Sequence, residues 1–220
     1  MNYPLIVLLE IIILFFLARL LTKTLSQFIH SLTGSTKSIV YGIAILFLPG
    51  TLIHELAHFF MAKILFVYAG EISLLPKQEG TMLKMGSVQI GQTDPLRKLL
   101  IGVAPLLVGS AILGGIYYVS ASYIQTLYSW QIFIPLIATF QIANTMFSSR
   151  KDMEGTLWLL IFVCIVALLF FFFHITIPDI VIKNIQYVLT LPFFYTLSIY
   201  LLVPLVLDVL LIGLVKIFVR

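Results

Sequence analysis

The chain is built of long apolar runs separated by short polar breaks, and the run lengths predict its elements. Residues 4–21 are apolar except at Glu10 and Arg19. At about 1.5 Å per helical residue this run comes close to crossing a hydrocarbon layer ~30 Å thick. No basic segment precedes it and no small-residue cleavage site follows, so it reads as a retained helix and not a cleaved signal. The polar stretch "TKTLSQFIHSLTGSTK", 22–37, reads as a linker. The second helical stretch, 38–68, is too long for one straight span and holds Pro49 and Gly50, which predict a bend. Residues 69–95 change character, with short apolar runs broken by Gly and Pro and some alternation. That pattern predicts two or three short β-strands. Further helices are expected at 96–121, 130–148, 155–174 and 191–217, with 175–189 lying at an interface. The expected fold is an all-α polytopic membrane protein of about six transmembrane helices, with a small β-sheet or hairpin after the second. No repeat or low-complexity linker divides residues 1–220, so a single membrane domain is expected.

Composition supports this. Of 220 residues, 61% are hydrophobic and 10% charged, with mean hydropathy +1.13; a soluble domain carries about 25% charged residues. The net charge of +4 does not point to nucleic acid, because no basic run is dense and basic residues flank the spans. With a cytoplasmic N-terminus, Lys63, Lys77, Lys84, Arg97, Lys98, Arg150, Lys151, Lys216 and Arg220 fall inside, nine in all. Four (Arg19, Lys23, Lys37 and Lys183) fall outside. The excess favours cytoplasmic N- and C-termini. The single cysteine, Cys164, excludes an internal disulfide and a thiolate cluster and reads as a small apolar filler.

Against this background "HELAH", 54–58, stands out. Ionisable groups are costly at bilayer depth and mark function there. Residues four apart are turned by about 400°, so His54 and His58 share one helix face and can converge on one metal ion. Glu55, beside them, can take a proton from a water that a metal has acidified toward a pKa of about 7. Two of the chain's four histidines fall in this motif; His30 and His174 lie near span ends. A catalytic zinc has three protein ligands and an open position. The downstream acids are Glu71, Glu79, Asp94, Asp152, Glu154, Asp179 and Asp208. Asp152 and Glu154 sit at the cytoplasmic end of the expected fourth helix. His58 lies ~15 Å deep, so an irregular turn around 148–153 has to carry a carboxylate inward.

The combination of HELAH with Asn144 and Asp152 in "NTMFSSRKDMEG" resembles the site-2 protease family of intramembrane zinc metalloproteases. That family pairs HExxH with a later N-x-x-P-x-x-x-L-D-G segment. Asn144 and Asp152 keep its spacing of eight, while Phe147, Lys151 and Met153 replace its proline, leucine and glycine. The resemblance covers about 39–156, including a membrane-associated sheet at 69–95 and the Gly/Pro helix "GVAPLLVGSAILGG", 102–115. Residues 1–38 and 157–220 would be additional helices. The resemblance implies one zinc per chain held by His54, His58 and Asp152, with Glu55 as general base. It implies an endopeptidase whose substrate is a single-pass transmembrane protein, one that another protease has often trimmed first. Asn144 is expected to donate to a developing oxyanion, its spacing from Asp152 favouring that role over a hydrogen bond to a neighbouring helix.

Two other classes compete with this one. CAAX-processing and heat-shock-type membrane metalloproteases use a glutamate as third ligand, for which Glu154 is the candidate; no helical E-x-x-x-D follows HELAH. A non-proteolytic metal transporter would need several binding positions along a path, whereas this chain offers one compact set. Glu10 and Asp208 are intramembrane carboxyls whose state the sequence leaves open. Ser110/Gly114 and Ala111/Gly115 are spaced for close helix packing.

Overall fold

The computed structural model describes residues 3–74, 77–79, 82–84, 86–123, 131–147 and 192–218, with 161, 164–166, 168–170, 172–173, 180, 183–184, 186–187 and 190. Most of the expected fifth helix, 155–174, and of the segment 175–189 lies outside them.

The first helix, α1 (Tyr3–Thr33), runs much further than the apolar run alone predicts. The expected linker is largely helical because its hydroxyls fold back on the helix. Thr22 bonds Ala18 O at 2.9 Å, Thr24 bonds Leu20 O at 2.8 Å and Ser26 bonds Thr22 O at 2.7 Å, so polar residues extend the helix without exposing unpaired groups. Gly34, at φ 62°, ends it by donating its N–H to His30 O at 2.8 Å. The expected second helix is α2 (Thr36–Leu46) and α3 (Leu48–Ile64), bent by 72°. Pro49 lacks an N–H and breaks the ladder. Gln141 donates its side-chain amide to Leu46 O at 2.5 Å and satisfies a carbonyl at the break.

Among the described residues four short strands follow, where two or three were expected: β1 (Ala69–Ser73), β2 (Lys77–Glu79), β3 (Met82–Lys84) and β4 (Ser87–Ile90). β1 pairs antiparallel with β4, and β2 with β3. Asp94 caps α4 (Pro95–Tyr123), accepting Arg97 N–H at 3.0 Å, and this bond holds its carboxyl below the usual range. Further along the chain come α5 (Phe133–Thr145) and α6 (Pro192–Phe218).

Among the described residues three helices are long and apolar enough to cross a membrane (α1, α4 and α6), and four if the bent α2–α3 pair counts as one span. The expected fourth span is the 13-residue α5, short of the ~20 residues that crossing takes. Large apolar side chains on the long helices face outward: Phe16 is 63% exposed, Tyr118 75% and Ile217 73%. Cys164, expected as filler, is exposed too.

The inner faces of α1, α4, α5 and α6 meet at Leu14, Leu113, Ile142, Met146 and Leu201. Close helix approach depends on two glycines. A methyl on Gly50 would overlap the Thr145 side chain and lie 2.6 Å from Gln141 O; one on Gly109 would lie 2.7 Å from Met146 Cβ. These contacts bring α3, α4 and α5 together at backbone range. Of the expected small-residue pairs, Gly114 lies against Phe193 and Gly115 against open space. A separate cluster, Ala62, Val67, Ala69 and Ile101, ties the end of α3 to β1 and α4.

Candidate metal centre

His54, Glu55 and His58 sit on the buried side of α3, with Glu55 7% and His58 4% exposed. Each histidine is oriented by a backbone carbonyl that helical structure leaves free. His58 Nδ1 lies 2.8 Å from Ile101 O. In α4 that carbonyl's helical donor would be residue 105, which is Pro105 and has no N–H. His54 Nδ1 lies 2.6 Å from Thr145 O, at the last residue of α5, where terminal carbonyls have no intrahelical donor.

These bonds set the tautomers. A carbonyl only accepts, so both Nδ1 atoms carry hydrogen, and each ring when neutral presents a lone pair at Nε2. The two Nε2 atoms face each other at 3.1 Å, in rings inclined by 80°. A hydrogen bond between them would need one ring to be an imidazolium. Two tetrahedral ligands at ~2.05 Å from one zinc ion stand about 3.3 Å apart. Convergent lone pairs, with each opposite N–H on a backbone carbonyl, are the arrangement in which metal-binding histidines are oriented.

Glu55 lies beneath the sheet. A Cβ on Gly86, just before β4, would come within 2.9 Å of Glu55 Oε1 and of Thr51 Cγ2, so glycine there lets the strand backbone rest against the carboxyl. An apolar groove of about 340 Å³, lined by Pro49, Ile53, Ile137 and Gln141 among others, runs between α3 and α5. It shares Gly50, Ile53 and Ile142 with a small recess that reaches His54.

The other acids divide clearly. Glu71 is exposed on β1, and Asp94 caps α4. Asp152, Glu154, Asp179 and the irregular segment around 148–153 lie outside the described residues. Among the described residues no group of three His, Cys, Asp or Glu side chains is placed to hold a metal ion. Asn144, expected as an oxyanion donor, turns its amide to Phe140 O at 3.1 Å and to Asp208 Oδ1, on α6, at 2.8 Å. Sequence reasoning did not identify the two carbonyls as the partners of the histidines. The signal for one was present, since Pro105 stands four residues after Ile101 and frees its carbonyl. Gln141 and Gly86 carried no comparable signal. Comparisons with protein-family models, with curated proteins and with solved structures find no match for this chain.

Proposed function

We propose that this chain is an integral membrane, zinc-dependent endopeptidase that cleaves transmembrane segments of single-pass membrane proteins, as its motifs' resemblance to the site-2 protease family implies. The observation that carries the reading is the histidine pair: two Nε2 lone pairs 3.1 Å apart, with each Nδ1 against a carbonyl. His54 and His58 would hold the zinc, with Asp152 as third ligand. Bound zinc supplies a Lewis acid that polarises the scissile carbonyl and acidifies water.

The chain's own residues do the rest. Glu55 takes the proton of the attacking water as the C–O bond forms, then delivers it to the departing amine as the C–N bond breaks. Its burial beside the strand backbone keeps it where an extended substrate segment would lie. The apolar groove between α3 and α5 suits a segment drawn from a bilayer. Removing metal with a chelator should abolish cleavage of model transmembrane substrates in lipid vesicles, and stoichiometric zinc should restore it. Cleavage that survives complete metal removal would sink the reading.

In this reading the N- and C-termini and the mouth of the site face the cytoplasm, as the nine-to-four bias of Lys and Arg supports. In a Cys164→Ser background, Gln78→Cys should be labelled from the cytoplasmic side and Ser35→Cys from the outer side. The reverse pattern would invert the topology.

A further inference from the structure

Two carboxyl groups are buried among the helices apart from the histidine pair. Glu10 of α1 accepts Ser198 Oγ at 2.9 Å, and Asp208 of α6, 0% exposed, accepts the Asn144 amide at 2.8 Å. Each leaves one oxygen buried without a hydrogen-bond partner, Glu10 Oε2 and Asp208 Oδ2, and Asn144 Oδ1 is in the same position. A charged Asp208 would need a cation. None faces it among the described residues: α5 carries no ionisable side chain, and Arg19, Lys23, Lys37, Arg97, Lys98 and Lys216 on the surrounding helices are all exposed. Tyr117 of α4 packs edge-on against Tyr200, and Glu10 is engaged with Ser198. An unpaired buried charge is costly enough that such a group neutralises instead.

A neutral Asp208 removes the need for a cation with one proton. Oδ2 becomes a donor, and the amide that already binds Oδ1 carries in Asn144 Oδ1 an acceptor without a partner. Asn144 directly precedes Thr145, whose carbonyl meets His54 Nδ1 at 2.6 Å. The end of α5 is therefore held from two sides, by the Gly50 contact with α3 and by Asp208 on α6. We propose that Asp208, as a neutral acid paired with the Asn144 amide, is a positioning residue: it anchors the end of α5 so that Thr145 O keeps His54 Nε2 turned toward His58. This inference rests on the metal-binding reading of the histidine pair.

The test titrates metal-free protein with Co²⁺ and reads its visible ligand-field absorption. Asp208→Ala should weaken Co²⁺ binding at least about tenfold, the low end for loss of an outer-shell partner. Asp208→Asn offers the donor and acceptor of the neutral acid and should bind as the wild type does. Glu10→Ala disturbs a similar buried pair with no link to His54 and should also leave binding unchanged. Unchanged affinity in Asp208→Ala overturns the proposal. So does an equal loss in Asp208→Asn, which would mean the charge is needed, or in Glu10→Ala, which would mean general packing. Should Asp208→Ala fail to fold, the infrared difference between wild type and Asp208→Asn decides: a protonated-acid C=O band supports the pair, and a carboxylate band refutes it. A wild type that takes up no Co²⁺ fails the metal reading itself and the positioning role with it, while the infrared band still reports the state of Asp208.

Discussion

Replacing Glu55 by Gln should leave a protein that folds, loads zinc and captures substrate, but turns it over at least roughly 10²-fold more slowly, the low end for loss of a general acid–base group. One residue along a helix is a turn of about 100°, so Glu55 leaves the ligand face to His54 and His58 while staying beside it. Glutamine keeps the side chain's length and its fit against Gly86, where a Cβ would already crowd Oε1 at 2.9 Å. It cannot accept a proton, so the loss should fall on the chemical step. Single-turnover cleavage, with zinc content measured on the same samples, checks this. Near-normal cleavage at full zinc occupancy would remove the proposed mechanism and move the protein toward the transport reading.

The double variant His54→Ala/His58→Ala should contain no stoichiometric zinc and show no cleavage above background, because two of the three proposed ligands are gone. It should also be less stable. Ile101 O and Thr145 O each lose the N–H that now reaches them at 2.8 and 2.6 Å, and an unsatisfied buried acceptor costs about 1–3 kcal/mol. Metal analysis and thermal unfolding of the purified protein read the two effects separately. One tightly bound zinc in the double variant would place the site elsewhere. Single Asp152→Ala and Glu154→Ala variants then identify the third ligand: if only the glutamate variant loses zinc, the assignment to Asp152 is wrong.

The sequence by itself determined the long apolar helices, the break at Pro49, the strand-rich segment after the HELAH helix and the shared face of His54 and His58. All of these follow from local rules: run length, a missing proline N–H, period-two alternation and a turn of about 100° per residue. The same local reading ended α1 too early, because it counted the hydroxyls of Thr22, Thr24 and Ser26 as polar when each is spent on a carbonyl one turn back. It also took α5 for a full span, since an apolar run does not state where its helix stops.

Only the tertiary structure decided which atoms orient the histidines, that Asn144 turns to Asp208, and that Gly86 lets a strand rest on Glu55. Those contacts join residues 43, 91 and 64 positions apart for His58–Ile101, His54–Thr145 and Asn144–Asp208. A local pattern announces at most one side of such a pair: Pro105 frees a carbonyl, but the donor that fills it is chosen by how closely the helices pack. That closeness is set at Gly50 and Gly109, where the absence of a side chain lets backbones meet, and its effect appears only once the helices are together.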